Sequence, residues 1–411
     1  MRLLFIHQNF PGQYRHLFHR LAHSGEHQVV GMGEQANLAR NTHGWQLPRN
    51  AMLMGYGTPA PAGAHTHAYL RGYEAAIRRG QDWARVALQL KKQGFSPDVV
   101  CVHPGWGEAL FVREVFPRAR VVTFCEFYYQ PHGADFDFDP EYPVELNDFC
   151  ALRIKNSVLN QALLDCDLGM APTHWQKSVH PRELQHKLAV VHDGIDTRLL
   201  QPDPVARFIL PDGRALDRSQ PVVTFVNRNL EPYRGFHQFM RALPELQRLR
   251  PDAEIVIVGG DEVSYGRRVE GGYRAALLKE LDGQLDLTRI HFVGKLPYPD
   301  YVRLLQVSAA HVYLTYPFVL SWSMLEAMAL GCLVIGSATS PVQEVLVDGE
   351  NGCLVDFFDP RALAERTAAA LENDPSHQYL RQAARETVVR RYDLHDLCLP
   401  RQQQLILDCK F

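Results

Sequence analysis

The chain has 411 residues, which exceeds the size of one ordinary hydrophobic core and predicts two domains. Its formal net charge of −3 argues against a general nucleic-acid binder, because such proteins gain affinity by neutralising phosphates. No stretch approaches the roughly 20 consecutive apolar residues of a membrane span, and the chain opens on a strand rather than a signal peptide. A cytoplasmic location is therefore expected, with peripheral attachment to the inner face of a membrane left open.

The first half of the chain alternates apolar strands with helices. Predicted strands cover 2–7, 27–33, 98–103, 120–125 and 188–192, and another starts at Leu168. Helices are predicted at about 13–22 and 65–94, and a long helix is predicted within 139–163. The Pro/Gly-rich segment 44–63 is predicted to be a loop. This rhythm is typical of a doubly wound parallel sheet, whose ligands gather at the carboxyl ends of the strands.

Polar side chains follow two of these strands. His103 and Glu108 come at or just after the strand 98–103, and Glu126, His132 and Asp135 follow the strand 120–125. Because both sets lie at the carboxyl ends of neighbouring strands, they predict a ligand-binding site, although a single histidine there is more often a structural hydrogen-bonding residue. Gly12, between the first strand and the first helix, lets the backbone approach a ligand or simply forms a tight turn.

The predicted helix 65–94 carries a basic face that includes Arg71, Arg78, Arg79 and Arg85. Such a helix can bind a membrane surface or an anionic acceptor. A solvated face over a packed one explains the same pattern and is the favoured interpretation. The eight cysteines show no metal-binding spacing, and we interpret them as reduced core residues.

The second half opens on a predicted strand, 221–226, and a turn that carries Arg228, Arg234 and Gly235. Arginine supplies planar, permanently charged donors and a helix start adds positive potential, so this turn suits a diphosphate. Further strands are predicted at 253–258, 289–294, 311–315 and 333–335, and helices at 359–373 and within 380–411. Glu326 stands out in the first turn of an apolar helix that Ser321 or Ser323 can cap.

The run Ser323-Met-Leu-Glu-Ala-Met-Ala-Leu-Gly-Cys-Leu-Val-Ile-Gly336, with Glu344 and Asp348-Gly-Glu-Asn after it, resembles the donor-binding signature of glycosyltransferase family 4, group 1. The resemblance implies the α/β GT-B fold, in which two Rossmann-like doubly wound domains face each other across a cleft. We expect an acceptor-side domain at 1–195, a nucleotide-sugar donor domain at 196–385, and helices at 386–411 that return toward the first domain.

The resemblance also implies roles for single residues. Glu326 would accept hydrogen bonds from ribose hydroxyls, and Arg228 and Arg234 would stabilise the leaving diphosphate, with Arg234 in place of a family lysine. Glu126 stands near the position of a family histidine and is, with His132, a candidate catalytic residue. The remaining expected donor contacts are Gly12, Gly235, Gly260, Lys295, Tyr298, Ser321, Trp322 and Ser323, and the expected acceptor contacts are His103, Glu108 and Asp135. Phe318 departs from the family, which often has a sugar-contacting glutamate at this position.

The expected reaction is retaining transfer of a sugar from a nucleoside-diphosphate sugar to a hydroxyl acceptor, such as a lipid-linked glycan, in bacterial-type glycan or glycoconjugate synthesis. We predict no metal requirement and no cofactor beyond the nucleotide-sugar co-substrate. Two alternatives stay open. A GT-B sugar-nucleotide epimerase would use the same phosphate site but needs acid/base carboxylates, and a non-catalytic nucleotide-sugar-binding protein would be consistent with Phe318.

Overall fold

In the computed structural model, residues 1–372 and 374–408 are described, and they form two compact units. The first unit comprises Met1–Asp193 and the C-terminal segment from His395, and the second comprises Gly194–Leu394. The expected boundaries were 195/196 and 385/386. The second of these falls inside a continuous helix, Pro375–Tyr392. Asn373 and residues 409–411, which the sequence analysis assigned to helices, lie outside the described residues.

The first unit is built on a seven-stranded parallel sheet. Its strands are β1 (Arg2–Ile6), β2 (Gln28–Glu34), β3 (Ala51–Tyr56), β4 (Val99–Val102), β5 (Arg120–Phe124), β6 (Leu168–Ala171) and β7 (Leu188–Val190). The strand order is β3-β2-β1-β4-β5-β6-β7, so the direction of winding reverses between β1 and β4. Doubly wound sheets bind ligands at such a switch point, beyond the carboxyl ends of the strands.

The helices before the second unit are α1 (Arg15–His23), α2 (Gln35–Asn41), α3 (Arg71–Lys92), α4 (Val112–Val115), α5 (Leu146–Asp165) and α6 (His174–Ser178). The long helix expected within 139–163 is α5. It begins at Leu146 because Glu145 and Asp148 form a capping box, in which each side chain accepts the backbone N–H of the other residue.

The predicted loop 44–63 is wrong in its centre, where β3 forms the edge of the sheet. β3 pairs with β2 in parallel register from Val29 opposite Ala51 to Glu34 opposite Tyr56. The run Ala-Met-Leu-Met-Gly-Tyr is apolar enough to be a strand, and Tyr56 is only 1% exposed. The prolines and glycines on both sides of this run concealed it.

The second unit contains a short antiparallel hairpin and a six-stranded parallel sheet. The hairpin strands are β8 (Phe208–Ile209) and β9 (Ala215–Leu216), and the sheet strands are β10 (Val222–Asn229), β11 (Glu254–Gly260), β12 (Ile290–Gly294), β13 (Ala310–Tyr313), β14 (Leu333–Ser337) and β15 (Cys353–Val355). The sheet order is β12-β11-β10-β13-β14-β15. Its switch point therefore lies between β10 and β13.

The remaining helices are α7 (Phe236–Leu249), α8 (Gly272–Glu280), α9 (Tyr298–Val307), α10 (Trp322–Ala329), α11 (Ser340–Gln343), α12 (Pro360–Ala370), α13 (Pro375–Tyr392) and α14 (Leu399–Leu407). α14 belongs to the first unit, where Gln402 donates to the backbone carbonyl of His192 at 2.7 Å. Within the described ranges 1–372 and 374–408, no helix combines the length and the apolar composition needed to cross a membrane.

Candidate functional site

The switch point of the second sheet carries the turn that was predicted to bind a diphosphate. β10 ends at Asn229, a single turn of 3-10 helix, Pro232–Arg234, follows, and Gly235 starts α7. Gly235 has φ +69°, and a Cβ there would lie 2.3 Å from the Cβ of Leu314. Only glycine fits both constraints, so the backbone brings Arg234 directly beside the end of β13.

Arg234 is held by neutral acceptors on one side only. Its Nη1 donates to Thr315 Oγ1 at 2.9 Å, to the carbonyl of Val319 at 2.8 Å and to Tyr313 Oη at 3.3 Å. The residue is 8% exposed. In the part of the chain that the structure describes, no carboxylate pairs with it, and its Nε and Nη2 make no hydrogen bond. Those two atoms form the edge of the guanidinium that binds phosphate in a bidentate manner.

The N-terminus of α10 lies beside the same guanidinium. The hydroxyl of Tyr313, which accepts from Arg234, also accepts the backbone N–H of Ser321 at 2.8 Å. Ser321 is the N-cap of α10, and its Oγ accepts from the N–H and hydroxyl of Ser323. Burial raises the pKa of Tyr313, against the opposing charge of Arg234, so its hydroxyl stays protonated. The positive end of the helix dipole and the arginine therefore add in one place.

Aromatic side chains cover this charge. The ring centroids of Phe318 and Tyr265 lie 5.5 and 5.9 Å from Arg234 Cζ, and the two rings meet edge to face at 4.8 Å. Tyr233 contacts both rings, at 5.5 and 5.8 Å. Phe318 is 2% exposed, whereas Tyr265 is 41% exposed. Tyr265 is thus the ring that faces solvent, and Phe318 lies beneath it.

Glu326, the expected ribose ligand, is half-buried and engaged by two tyrosines. Tyr298 Oη donates to its Oε1 at 2.9 Å, and Tyr301 Oη donates to its Oε2 at 2.7 Å. Burial raises the pKa of Glu326, and the two tyrosine hydrogen bonds act in the opposite direction. Tyr298 and Glu326, which were both predicted to bind the donor, are therefore hydrogen-bonded to each other. Both tyrosines lie in α9 at a spacing of i and i+3, which places them on one face.

The other donor-side candidates are more exposed. Arg228 projects from β10 into solvent and makes no hydrogen bond or ion pair with any described residue. Lys295 forms an ion pair with Glu262 at 2.5 Å and lies across Gly260, where a Cβ would come within 2.6 Å of Lys295 Cε. Trp322, the first residue of α10, is 45% exposed.

The switch point of the first sheet gathers His7, His103 and Glu126, which follow β1, β4 and β5. Glu126 accepts from Gln13 Nε2 at 2.8 Å and lies 3.3 Å from His103 Nε2. The Nδ1 of His103 accepts the N–H of Gly105, so a neutral His103 carries its proton on the nitrogen that faces Glu126. The structure thus brings together two of the predicted residues, His103 and Glu126, with Gln13 as a third partner.

The side chain of His7 leaves no room for a Cβ at position 12. Its Nδ1 accepts the N–H of Asn9, and a Cβ on Gly12 would lie 2.5 Å from its Nε2. Burial, and then the neighbouring His103, hold the pKa of His7 well below its ordinary value, so the ring is neutral. The space that Gly12 leaves free is filled by this imidazole.

The other three predicted residues of the first unit have different surroundings. Glu108 is fully buried, accepts from Tyr56 Oη at 2.5 Å and lies 3.7 Å from Arg79 Nε. Burial raises the pKa of Glu108 against both of these partners. Asp135 is 1% exposed, and His132 is exposed and pairs with Asp137 at 2.6 Å. Glu108 and Asp135 therefore face the interior rather than an acceptor.

The basic face of α3 is largely compensated. Arg78 pairs with Glu74 and Arg85 with Asp82 on the same helix, and Arg79 pairs with Glu34 at 3.1 Å. Such pairs reduce the positive potential that anionic lipids would need. This geometry agrees with the favoured interpretation of α3 as a solvated face over a packed one.

Sequence reasoning missed Tyr265, Glu231 and Tyr301. Tyr265 and its anchor Glu231 are 34 residues apart, with α7 and β11 between them, so no local pattern connects them. Tyr301 had a usable signal, since it lies one helical turn after Tyr298 on the same face of α9.

Comparison with known proteins gives two family matches. The profile described as "Glycosyl transferase family 4 group" matches residues 25–200, and the profile described as "Glycosyl transferases group 1" matches residues 209–387. The phosphatidyl-myo-inositol mannosyltransferase of Mycobacterium tuberculosis is 33% identical over 184 residues, 43% of this chain and 44% of the relative. The D-inositol 3-phosphate glycosyltransferase of Corynebacterium diphtheriae is 29% identical over 167 residues, 40% of this chain and 38% of the relative. The chain thus spans less than half the length of these curated relatives.

Solved structures match along almost the whole chain. A glycosyltransferase from Rickettsia africae has a TM-score of 0.69 at 15% identity and covers 100% of this chain and 99% of its own. HepE of Anabaena in complex with UDP has a TM-score of 0.69 at 16% identity and covers 98% and 99%. At these identities the likeness shows the fold alone.

Proposed function

Since the chain belongs to glycosyltransferase family 4, group 1, we propose that it transfers a glycosyl group from a nucleoside-diphosphate sugar to a hydroxyl acceptor with retention of configuration. The predicted GT-B fold is confirmed: the chain forms two parallel-sheet α/β units, and its structural neighbours are glycosyltransferases. Proteins of this fold have many functions, so the proposal has to stand on the site.

The observation that carries the proposal is the open edge of Arg234. A nearly buried guanidinium without a carboxylate partner is costly, and an anion at its Nε and Nη2 would remove that cost. The N-terminus of α10 supports the same ligand. Together they suit a diphosphate on which negative charge grows as the glycosidic bond breaks.

In the proposed reaction the bond between the anomeric carbon and the phosphate oxygen breaks, and a bond from that carbon to the acceptor oxygen forms. The acceptor proton passes to the departing diphosphate. Glu326 would hold the ribose. Arg228, whose side chain makes no hydrogen bond or ion pair with a described residue, would bind the phosphates together with Arg234. No metal is needed in this scheme, because arginines and a helix start supply the positive charge.

The relatives suggest the class of acceptor. Two of them are named for transfer to inositol compounds, and one structural neighbour was solved with UDP. We therefore propose a polyol or glycan hydroxyl as the acceptor, which includes lipid-linked forms presented at a membrane surface.

The proposal is tested by incubating the protein with UDP-glucose or GDP-mannose and with myo-inositol, phosphatidylinositol vesicles or an oligosaccharide. We expect release of nucleoside diphosphate that depends on an acceptor, is unaffected by EDTA, and yields a product with the anomeric configuration of the donor in NMR spectra. An inverted product would contradict retention, and loss of activity in EDTA would contradict the metal-free scheme.

The same assay separates the alternatives. Conversion of the sugar nucleotide without any acceptor would indicate an epimerase. Binding of the sugar nucleotide without consumption across the acceptor panel would indicate a binding protein and would overturn the transferase proposal.

A further inference from the structure

The aromatic rings around Arg234 lie where a donor sugar has to be. In a nucleoside-diphosphate sugar, the anomeric carbon is joined to the terminal phosphorus through a single oxygen. If Arg234 binds the diphosphate, side chains within about one sugar diameter of its guanidinium are neighbours of the sugar ring. Tyr265 and Phe318 meet that condition, since their ring centroids lie 5.9 and 5.5 Å from Arg234 Cζ.

Exposure distinguishes the two rings. Phe318 is 2% exposed and is covered by Tyr265 and Tyr233, so a ligand cannot reach its face without displacing them. Tyr265 is 41% exposed, and its hydroxyl makes no hydrogen bond within the described residues. Tyr265 is therefore an accessible aromatic residue beside Arg234 that packs on a second ring, Phe318.

The backbone fixes Tyr265 independently of its side chain. The carboxylate of Glu231, 1% exposed, accepts the N–H groups of Ser264, Tyr265 and Gly266 at 2.9 to 3.2 Å. No cation pairs with Glu231 in the described part of the chain, so these three amides provide its hydrogen bonds. A buried carboxylate that depends on a loop for its hydrogen bonds holds that loop in one conformation.

We propose that Tyr265 is the platform on which the donor sugar stacks, and that it favours a sugar turning a C–H face rather than a hydroxyl toward the ring. This inference rests on the proposed function and names its sugar subsite. Phe318 acts as a positioning residue that supports the platform. The face of an aromatic ring accepts no strong hydrogen bond. A sugar hydroxyl directed at the Tyr265 ring would therefore lose its hydrogen bonds to water without replacing them.

The test compares each nucleotide with and without its sugar. Calorimetry with UDP and UDP-glucose, and with GDP and GDP-mannose, is carried out on the wild type and on Tyr265→Ala and Tyr265→Phe. Tyr265→Ala should weaken the sugar nucleotide about tenfold while leaving the nucleoside diphosphate unchanged. Tyr265→Phe keeps the ring and should match the wild type.

Tyr379→Ala removes a tyrosine of α13 that is 66% exposed and serves as the control, with no expected effect. Because Glu231 binds backbone amides, Tyr265→Ala keeps the loop's hydrogen bonds and should fold, which its thermal midpoint checks. Equal weakening of nucleotide and sugar nucleotide, or no weakening of either, would overturn the platform. Failure of the wild type to bind any of the four probes would instead overturn the proposed function, and the platform with it.

Discussion

Gly12 and Gly25 show how the space around a residue decides the effect of a substitution. Gly12 and Gly25 both have positive φ, at +49° and +73°, but only Gly12 faces a neighbour, the imidazole of His7. An alanine at position 25 would add only backbone strain, about 1 to 2 kcal/mol, whereas an alanine at position 12 would also displace the His7 ring.

We therefore expect Gly12→Ala to lower the free energy of unfolding by about 3 kcal/mol or more, and Gly25→Ala by about 1 to 2 kcal/mol. Urea unfolding followed by tryptophan fluorescence measures both, since four of the five tryptophans lie in the first unit. Equal losses in the two variants would show that the contact with His7 is unimportant.

Glu326 should give the site a pH dependence. Burial raises the pKa of its carboxyl above the ordinary 4.5, so it gains a proton at a higher pH than an exposed glutamate. A protonated carboxyl offers fewer acceptor lone pairs to ribose hydroxyls, and donor affinity should fall as the pH falls through this raised pKa. Glu326→Gln should bind weakly at all pH values and lack this step. The difference between the pH profiles of donor affinity of the wild type and Glu326→Gln separates the titration of Glu326 from that of the phosphates. Parallel profiles would contradict the assignment of Glu326 to the ribose site.

The stability of the protein should show the opposite trend. Because the folded-state pKa of Glu326 is raised, its contribution to stability is present below the ordinary pKa and is lost as the pH rises through the folded-state value. Glu326→Gln should therefore be at least as stable as the wild type at neutral pH in thermal unfolding. A large loss of stability would mean that the tyrosine hydrogen bonds matter more than the cost of burial.

At the scale of elements, a buried amide helps to anchor the C-terminal helix α14 in the first unit. Gln402 is 4% exposed and donates to the carbonyl of His192 at 2.7 Å, whereas Gln404 on the same helix is exposed. Gln402→Ala should lower the free energy of unfolding by about 1 to 3 kcal/mol, because a buried carbonyl loses its donor. Gln404→Ala should change it by no more than about 0.5 kcal/mol. Similar effects of both substitutions in urea unfolding would contradict this anchoring.

Strands that are long apolar runs could be predicted from the sequence. Strand edges and helix starts that depend on flanking residues could not. The central strands β1, β4 and β10 are continuous apolar runs and were located within one to three residues of their ends. β3 was missed because it is a short edge strand between Pro/Gly-rich segments. A long helix was expected within 139–163, but its start at Leu146 depends on the capping box formed by Glu145 and Asp148.

The same division holds for the site. Arg234 and Glu326 lie at fixed positions of a strand-turn-helix pattern, so the sequence locates them. The partners of these residues come from distant segments. Tyr265 lies beside Arg234 in a loop held by Glu231 and Asn229, and no periodic pattern in the sequence predicts such contacts.

At the scale of the whole molecule, both sheets reverse their winding next to β1 or β10 and gather polar side chains there. The two switch points differ in charge. The second presents an unpaired guanidinium edge suited to phosphate, whereas the first presents a carboxylate, Glu126, held by Gln13 and His103. A carboxylate repels phosphate and accepts hydrogen bonds from hydroxyls, so the proposal places the nucleotide at the second unit's switch point and hydroxyl binding at the first unit's switch point.

The central claim is that Arg234 binds the diphosphate of the donor, and calorimetry of UDP and GDP binding tests it most directly. Arg234→Ala removes the guanidinium, and Arg228→Ala removes an exposed arginine, with Arg361→Ala on α12 as the control. We predict at least about tenfold weaker binding in Arg234→Ala, a smaller loss in Arg228→Ala and no change in Arg361→Ala. Unchanged affinity in Arg234→Ala, Arg228→Ala and the double variant would contradict the assignment of this turn as the phosphate site.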